Sequence, residues 1–363
     1  MPGQKSGAKI VGYLPTLDGW RAFAVVAVIF SHAPLPVSIL ARLPHWFLTV
    51  KSGGGEKGVQ LFFAISGFLI TSRLIEEWNC FGRISLKRFY VRRVFRILPP
   101  AMTYLLAIAL LGLMGVLSIQ WKYWLSSLCF FRNYMLLGGS VFEAHYWTLS
   151  VEEQFYLLWP ALLVLFGLYR SRYTATTMIL AIWLWRSISY HNIWGATMGR
   201  GDWTRAEICF DGLLLGCLYA LVLESPVLKA WASKYVGVAA VAIVMAVILV
   251  SGGRTYTPIG RTLQSLLMPF LFIATILNPH TWLGRLLEVP ALRWVGRLSY
   301  SLYIWQQLFT VRQFLPWYSL QLAPLFGVAI LSFYCIEKPM IRLGYRLAPP
   351  PSLGHKDLGA ANR

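Results

Sequence analysis

Arg21 and His32 stand eleven positions apart in an otherwise apolar stretch, Trp20-Arg21-Ala-Phe-Ala-Val-Val-Ala-Val-Ile-Phe-Ser31-His32. Eleven residues carry an α-helix through about three turns and about 16 Å, so a helix here puts both side chains on one face at two depths. A histidine can take a proton from a hydroxyl or carry an acyl group, because its unperturbed pKa of about 6.5 keeps both its forms accessible near neutrality. Ser31 adjoins it, but neighbouring helix positions point about 100° apart, which argues against a Ser–His nucleophile pair. A second candidate is Glu152, in Tyr146-Trp147-Thr148-Leu149-Ser150-Val151-Glu152-Glu153-Gln154-Phe155-Tyr156. If a helix runs inward from Tyr146, Glu152 lies about 9 Å along it. That resembles the depth expected for His32, six residues below the outer end of its own span, so the two could pair and the carboxylate would orient the ring. Asp211 falls near the same depth; either acid could instead pair with Arg186 or Arg205 for packing alone. A third cluster is Lys87-Arg88-Phe-Tyr-Val-Arg92-Arg93-Val-Phe-Arg96-Ile-Leu-Pro99-Pro100. Arg93 and Arg96 are one helical turn apart, and guanidinium forks match phosphate oxygens, although a basic loop beside an apolar span also serves as a topological anchor.

Positioning these groups is a task for membrane helices. The 363 residues are 57% hydrophobic and 13% charged, about half the charge of an ordinary soluble domain. The apolar residues come in long blocks. Candidate spans cover residues 20–38, 59–75, 97–118, 146–168, 174–190, 205–224, 232–250, 263–279, 299–315 and 319–337, each near the length a bilayer core requires. The expected fold is all-α, a polytopic bundle of about ten spans. Residues 119–145 mix aromatics with Lys122, Ser126, Ser127, Arg132 and Asn133 and read as an interfacial or re-entrant piece. Pro99 and Pro100 fit the first turn of the third span. The 33 Lys and Arg fall two to one on the side of the N-terminus, which places both termini in the cytoplasm. Residues 1–346 then form one membrane domain, and 347–363, with Pro349, Pro350 and Pro351, a disordered cytoplasmic tail. The first apolar block reads as a retained helix rather than a cleaved signal. The net charge of +19 lies between the apolar blocks, so it speaks for topology and anionic headgroups or phosphates and not for nucleic acid. Cys80, Cys129, Cys209, Cys217 and Cys335 are scattered; they suggest packing residues and no metal site.

Arginines at a cytoplasmic rim, with a histidine and a carboxylate deeper toward the outside, would suit a coenzyme A thioester. Its charged nucleotide could rest on the arginines while the narrow pantetheine arm reaches His32. A membrane carrier of a lipid-linked sugar or anionic metabolite would use similar residues, but carriers are often built from repeats with broken helices, and no repeat is visible.

The same blocks resemble the membrane acyltransferase-3 family, whose members O-acylate mostly extracytoplasmic glycans. Leu17-Asp18-Gly19-Trp20-Arg21 followed by His32 is similar to its Arg, ten residues, His signature. Gly58 to Phe68 resembles its second-span block, Arg93-Val-Phe-Arg96 its Arg-x-x-Arg motif, and Trp147 to Tyr156 its Trp-Ser-Leu-x-x-Glu-x-x-Phe-Tyr block. Gly296 to Trp305 and Ile336-Glu337-Lys338-Pro339 also look familial, and the likeness runs over about residues 13–345. It implies an enzyme of the bacterial inner membrane that takes an acyl group, by default acetyl, from cytoplasmic acyl-CoA to a hydroxylated acceptor. His32 would be catalytic, and Arg21, Arg93 and Arg96 would be donor-binding. Trp20 departs from the usual smaller aliphatic, and Gln306 stands where many members have histidine. The fused esterase-like domain of longer members has no counterpart in these 363 residues.

Overall fold

A computed structural model describes residues 13–34, 42–135, 138–191, 202–223, 225, 230, 237, 241, 257–311 and 322–349. Every regular element among them is helical: α1 (Pro15–His32), α2 (His45–Phe81), α3 (Leu86–Leu113), α4 (Trp121–Leu128), α5 (Tyr146–Tyr190), α6 (Ala206–Val222), α7 (Pro258–Leu277), α8 (Trp282–Leu287), α9 (Pro290–Thr310), α10 (Leu322–Ser332) and α11 (Lys338–Leu347), with a π turn at Phe333–Glu337. Local chemistry sets their starts. Proline opens α1, α7 and α9, where its missing N–H would have had no partner anyway. The Ser85 hydroxyl accepts from the Arg88 amide to cap α3.

That cap overturns one expectation. Residues 87–96 are no loop but the first turns of α3, and Pro99 and Pro100 lie inside the helix. The Thr103 hydroxyl donates to the Pro99 carbonyl at 2.8 Å.

Five described helical stretches are long and apolar enough to cross a membrane: Phe47–Phe81, Leu86–Leu113, Tyr146–Tyr190, Pro258–Leu277 and Leu322–Leu347. The chain is thus a multi-pass membrane protein. The expected span at 232–250 lies outside the described residues except for 237 and 241, as does the tail beyond 349. Residues 121–128 form a helix about 12 Å long, too short to cross.

The longest of these stretches folds back on itself. Gly167, at φ 74° and ψ 162°, occupies a region open essentially to glycine alone. Before it, Phe155 packs on Phe210 at 5.3 Å; after it, Arg186 pairs with Asp211 at 2.7 Å. Residues on both arms therefore share one level of α6, and the chain reverses at Gly167. The expected separate spans 146–168 and 174–190 are these two arms, joined by a single residue.

Helix α2 forms the axis of the bundle, packed against α1 and α6, while α1 also packs on α9 and the arms of α5 on α6. The α2–α6 crossing is close because a Cβ on Gly67 would meet the Leu213 carbonyl, and one on Gly216 the Ala64 carbonyl. Small residues let membrane helices approach this way. Cys209 and Cys217 are buried, whereas Cys80, Cys129 and Cys335 are exposed and do not pack as expected.

Arg186 and Asp211 are fully buried. Arg186 also donates to the Ile208 carbonyl and to Thr262, and Asp211 accepts from Trp183. Asp211 thus takes the packing role weighed for it above. Asp211→Ala leaves a buried guanidinium unpaired and should cost about 3–5 kcal/mol. Thermal denaturation of the purified protein should show a large fall in midpoint, whereas Arg205→Ala, whose partner Glu207 lies 4.0 Å away on the exposed surface, should leave it nearly unchanged.

Candidate functional site

His32 is the last residue of α1, and the chain leaves the helix at Ala33. Its exposed ring folds back so that Nδ1 lies 2.9 Å from the Val28 carbonyl. That contact requires a proton on Nδ1 and leaves Nε2 with a free lone pair. The Ser31 hydroxyl donates to the same carbonyl at 2.8 Å and lies 3.2 Å from Nδ1. The two side chains therefore do meet, contrary to the angular argument, because both turn back at the helix end. A protonated Nδ1 cannot activate Ser31 as a base. Lys51 donates to the Ser31 carbonyl at 3.1 Å and is within electrostatic range of His32.

Helix α2 measures how far the other groups stand from this end. A Cβ on Gly55 would come 3.7 Å from His32 Cε1. Eleven residues further along, Ser66 donates to Glu152 at 3.0 Å. Eleven residues of helix are about 16 Å. Glu152 therefore lies at the level of Arg21, which has Glu152, Glu337, Asp18 and Arg96 as its electrostatic neighbours. Arg93 reaches the same cluster, stacked over Tyr156 at 4.9 Å and Phe89 at 5.5 Å, with Glu152, Glu153 and Arg96 nearby. Glu337 accepts from Ser301 at 2.9 Å.

The structure brings Arg21, Arg93, Arg96 and Glu152 together and does not bring Glu152 to His32. The expected pair is absent because of where α5 begins. The Tyr146 hydroxyl donates to the Ala101 carbonyl at 2.7 Å, twelve residues before α3 ends at Leu113, or about 18 Å. Residues 121–134 carry the chain down to that point. Trp124 donates to the Leu105 carbonyl, Gln154 to the Phe130 carbonyl, and the Arg132 amide to Ser150. Tyr146 thus starts deep in the bundle, and Glu152 deeper still.

The arginines differ in how they are held. Arg92 reaches Glu77 at 3.8 Å and the Ala348 carbonyl at 3.3 Å. Arg21, Arg93 and Arg96 make no close ion pair or hydrogen bond among the described residues. Their donors remain available to an anionic ligand. A cavity of about 580 Å³ opens beside Arg93 between α3, α5 and residues 129–134, lined also by Glu153, Gln154 and Tyr156; Arg21 and Arg96 are not in its lining.

His145, buried where α5 starts, was not among the expected residues. It falls in the stretch read as interfacial, so a search for ionisable groups inside spans passes over it. A histidine two positions ahead of Trp147 was the available signal.

The family described as "Acyltransferase domain" matches residues 14–336. Peptidoglycan O-acetyltransferase OatA of Listeria monocytogenes is 29% identical over 92% of the chain and 56% of its own length. O-acetyltransferase OatA of Staphylococcus aureus is 32% identical over 81% of the chain and 50% of its own length. The chain spans about half the length of these curated relatives. No solved structure matches it.

Arg93→Lys keeps the charge but loses the planar fork and the stacking on Tyr156. Calorimetric titration with coenzyme A should show an affinity about tenfold weaker, as for one lost charge-assisted hydrogen bond. Arg96→Lys should act in the same direction, and Arg92→Lys should have little effect. Unchanged affinity in both the Arg93 and Arg96 variants would mean that these arginines serve topology alone.

Proposed function

The chain belongs to the acyltransferase-3 family, and from that premise we propose that it moves an acyl group, acetyl by default, from acyl-CoA to a hydroxyl of a cell-surface glycan. The observation that carries this reading is on α1 itself. One helix holds an untied arginine near one end and, at its other end, a histidine whose Nε2 is free to act as a base. Arg21, Arg93 and Arg96 bind the donor's phosphates from the cytoplasmic side of the inner membrane, both termini lie on that side, and the acceptor meets His32 from outside. Residues 121–134 are a re-entrant segment that lets α5 begin within the bilayer. Glu152 is a positioning residue: it bonds Ser66 and steers Arg21 and Arg93, while the Val28 carbonyl orients His32.

The acceptor oxygen attacks the thioester carbonyl carbon as its proton passes to His32 Nε2. The C–O bond forms, the C–S bond breaks, and the proton leaves with the sulfur as coenzyme A thiol. In a two-step variant His32 carries the acyl group between donor and acceptor. The glycan acceptor is favoured by the relative from Listeria, whose name assigns it peptidoglycan.

The test is acyl transfer by the purified full chain from acetyl-CoA to a glycan fragment. His32→Ala should lower the rate by roughly 10²–10⁴-fold, the usual worth of a positioned base, while coenzyme A affinity stays near wild type. Wild-type transfer by His32→Ala would falsify the assignment.

A further inference from the structure

Between the arginines and His32 lies a group of buried polar atoms that close no hydrogen bond among the described residues. His145 is 5% exposed. Its ring is held by three tyrosines, with centroids 5.3 Å from Tyr104, 5.1 Å from Tyr146 and 5.7 Å from Tyr303. Its carbonyl is fully used, accepting from Thr148 at 3.0 Å and from Tyr303 at 3.3 Å. Neither ring nitrogen closes a hydrogen bond among the described residues, although the Ile304 backbone carbonyl faces the ring. On the facing α9, the Trp305 indole N–H and both amide atoms of Gln306 are likewise buried and unpaired, and Trp305 packs 5.3 Å from Tyr104. A buried polar group left unpaired loses its bonds to water with no bond inside the protein to offset them. A phenylalanine would fill an aromatic cage without that cost. The polar atoms are accounted for if a ligand passes through and uses them.

The place of His145 says which part of the ligand that is. Tyr303 packs on Phe62 of α2 at 6.3 Å. Phe62 lies seven residues from Gly55, beside His32, and four from Ser66, beside Glu152, or about 10 Å and about 6 Å along the helix. His145 is within electrostatic range of His32. A donor held by its phosphates at the arginines must bring its thioester between His145 and His32 to react.

We propose that His145 donates a hydrogen bond to the thioester carbonyl oxygen of the donor and stabilises the oxyanion formed there. The inference rests on the acyl-transfer reading given above. As the acceptor oxygen bonds to the carbonyl carbon, the C=O π pair moves onto the carbonyl oxygen, which a neutral imidazole N–H of His145 meets. The pair returns as the C–S bond breaks. His145 keeps its proton throughout, and the hydroxyl proton travels through His32 to the departing sulfur. A neutral N–H aimed at developing charge in a water-poor site stabilises it without reorganising.

The test uses the full chain with His145→Phe, which keeps an aromatic filler, and His145→Gln, which keeps an N–H donor. His145→Phe should lower kcat by roughly 10²–10³-fold, the effect of removing one oxyanion donor, with KM for acetyl-CoA raised only about twofold, since the bond to the neutral ground-state carbonyl is far weaker than the bond to the oxyanion. His145→Gln should recover a large part of that loss. A second readout needs no turnover. Infrared spectra of carbonyl-¹³C acetyl-CoA bound to His32→Ala protein should show the carbonyl band at lower frequency than in the His32→Ala, His145→Phe double variant. A kcat for His145→Phe near wild type, or one carbonyl frequency in both proteins, would overturn the proposal. If His32→Ala transfers acyl groups normally while the carbonyl shift is present, the base assignment fails and the role of His145 stands.

Discussion

The hydroxyl of Tyr146 bonded to the carbonyl of Ala101 decides where α5 begins, and the rest of the site follows from that depth. Both groups are buried, so the bond cannot be traded for water, and breaking it would leave two polar groups without partners in an apolar interior. With Tyr146 pinned inside the bundle, His145 is placed among tyrosines instead of at the surface, and Glu152 arrives at the arginines one and a half turns on. The descent of residues 121–134 beside α3 and α5 makes this start available.

Two kinds of buried charge can be told apart by their bonds. Arg186 and Arg261 are locked, the first to Asp211 and the Ile208 carbonyl, the second to Glu56. Such a pair is compensated within the protein and contributes to the unique packing of α2, α5, α6 and α7. Arg21, Arg93 and Arg96 are gathered near carboxylates without being fastened to them. Like charges confined this way repel one another, and a polyanionic ligand would offset that repulsion.

Much of this was legible in the chain, and the limits were physical. The apolar blocks marked most described helices because burial in lipid needs nothing subtler than about twenty apolar residues. The Arg21–His32 spacing was readable because both residues belong to one helix of known rise. Relations between helices were not. The depth of Glu152 against His32 depends on where α5 starts, and that is set by a tertiary bond between Tyr146 and Ala101, residues 45 apart. The reversal itself was legible as the break between spans 146–168 and 174–190, where Arg170 and Arg172 interrupt the apolar run; that a single glycine at 167 makes it was not, since one glycine in an apolar run reads the same whether the chain continues or turns. Pro99 and Pro100 pointed to a helix start, but the Ser85 cap, fourteen residues earlier, prevailed.

Because α2 passes both His32 and the Glu152 cluster, the two ends of the proposed acyl path, as one unbroken helix, evolution has little freedom in the stretch from Gly55 to Ser66. An insertion of one residue there would shift everything beyond it by 1.5 Å and turn it by about 100°, pointing Ser66 away from Glu152 and Gly67 away from Leu213. Facing is restored only by changes near seven or eleven residues, which would lengthen or shorten the path by about 10 Å or more. Among homologues, gaps should therefore gather in the connecting segments and avoid this interval, so that the distance from His32 to the Glu152 cluster is inherited as a fixed quantity while the loops around it drift.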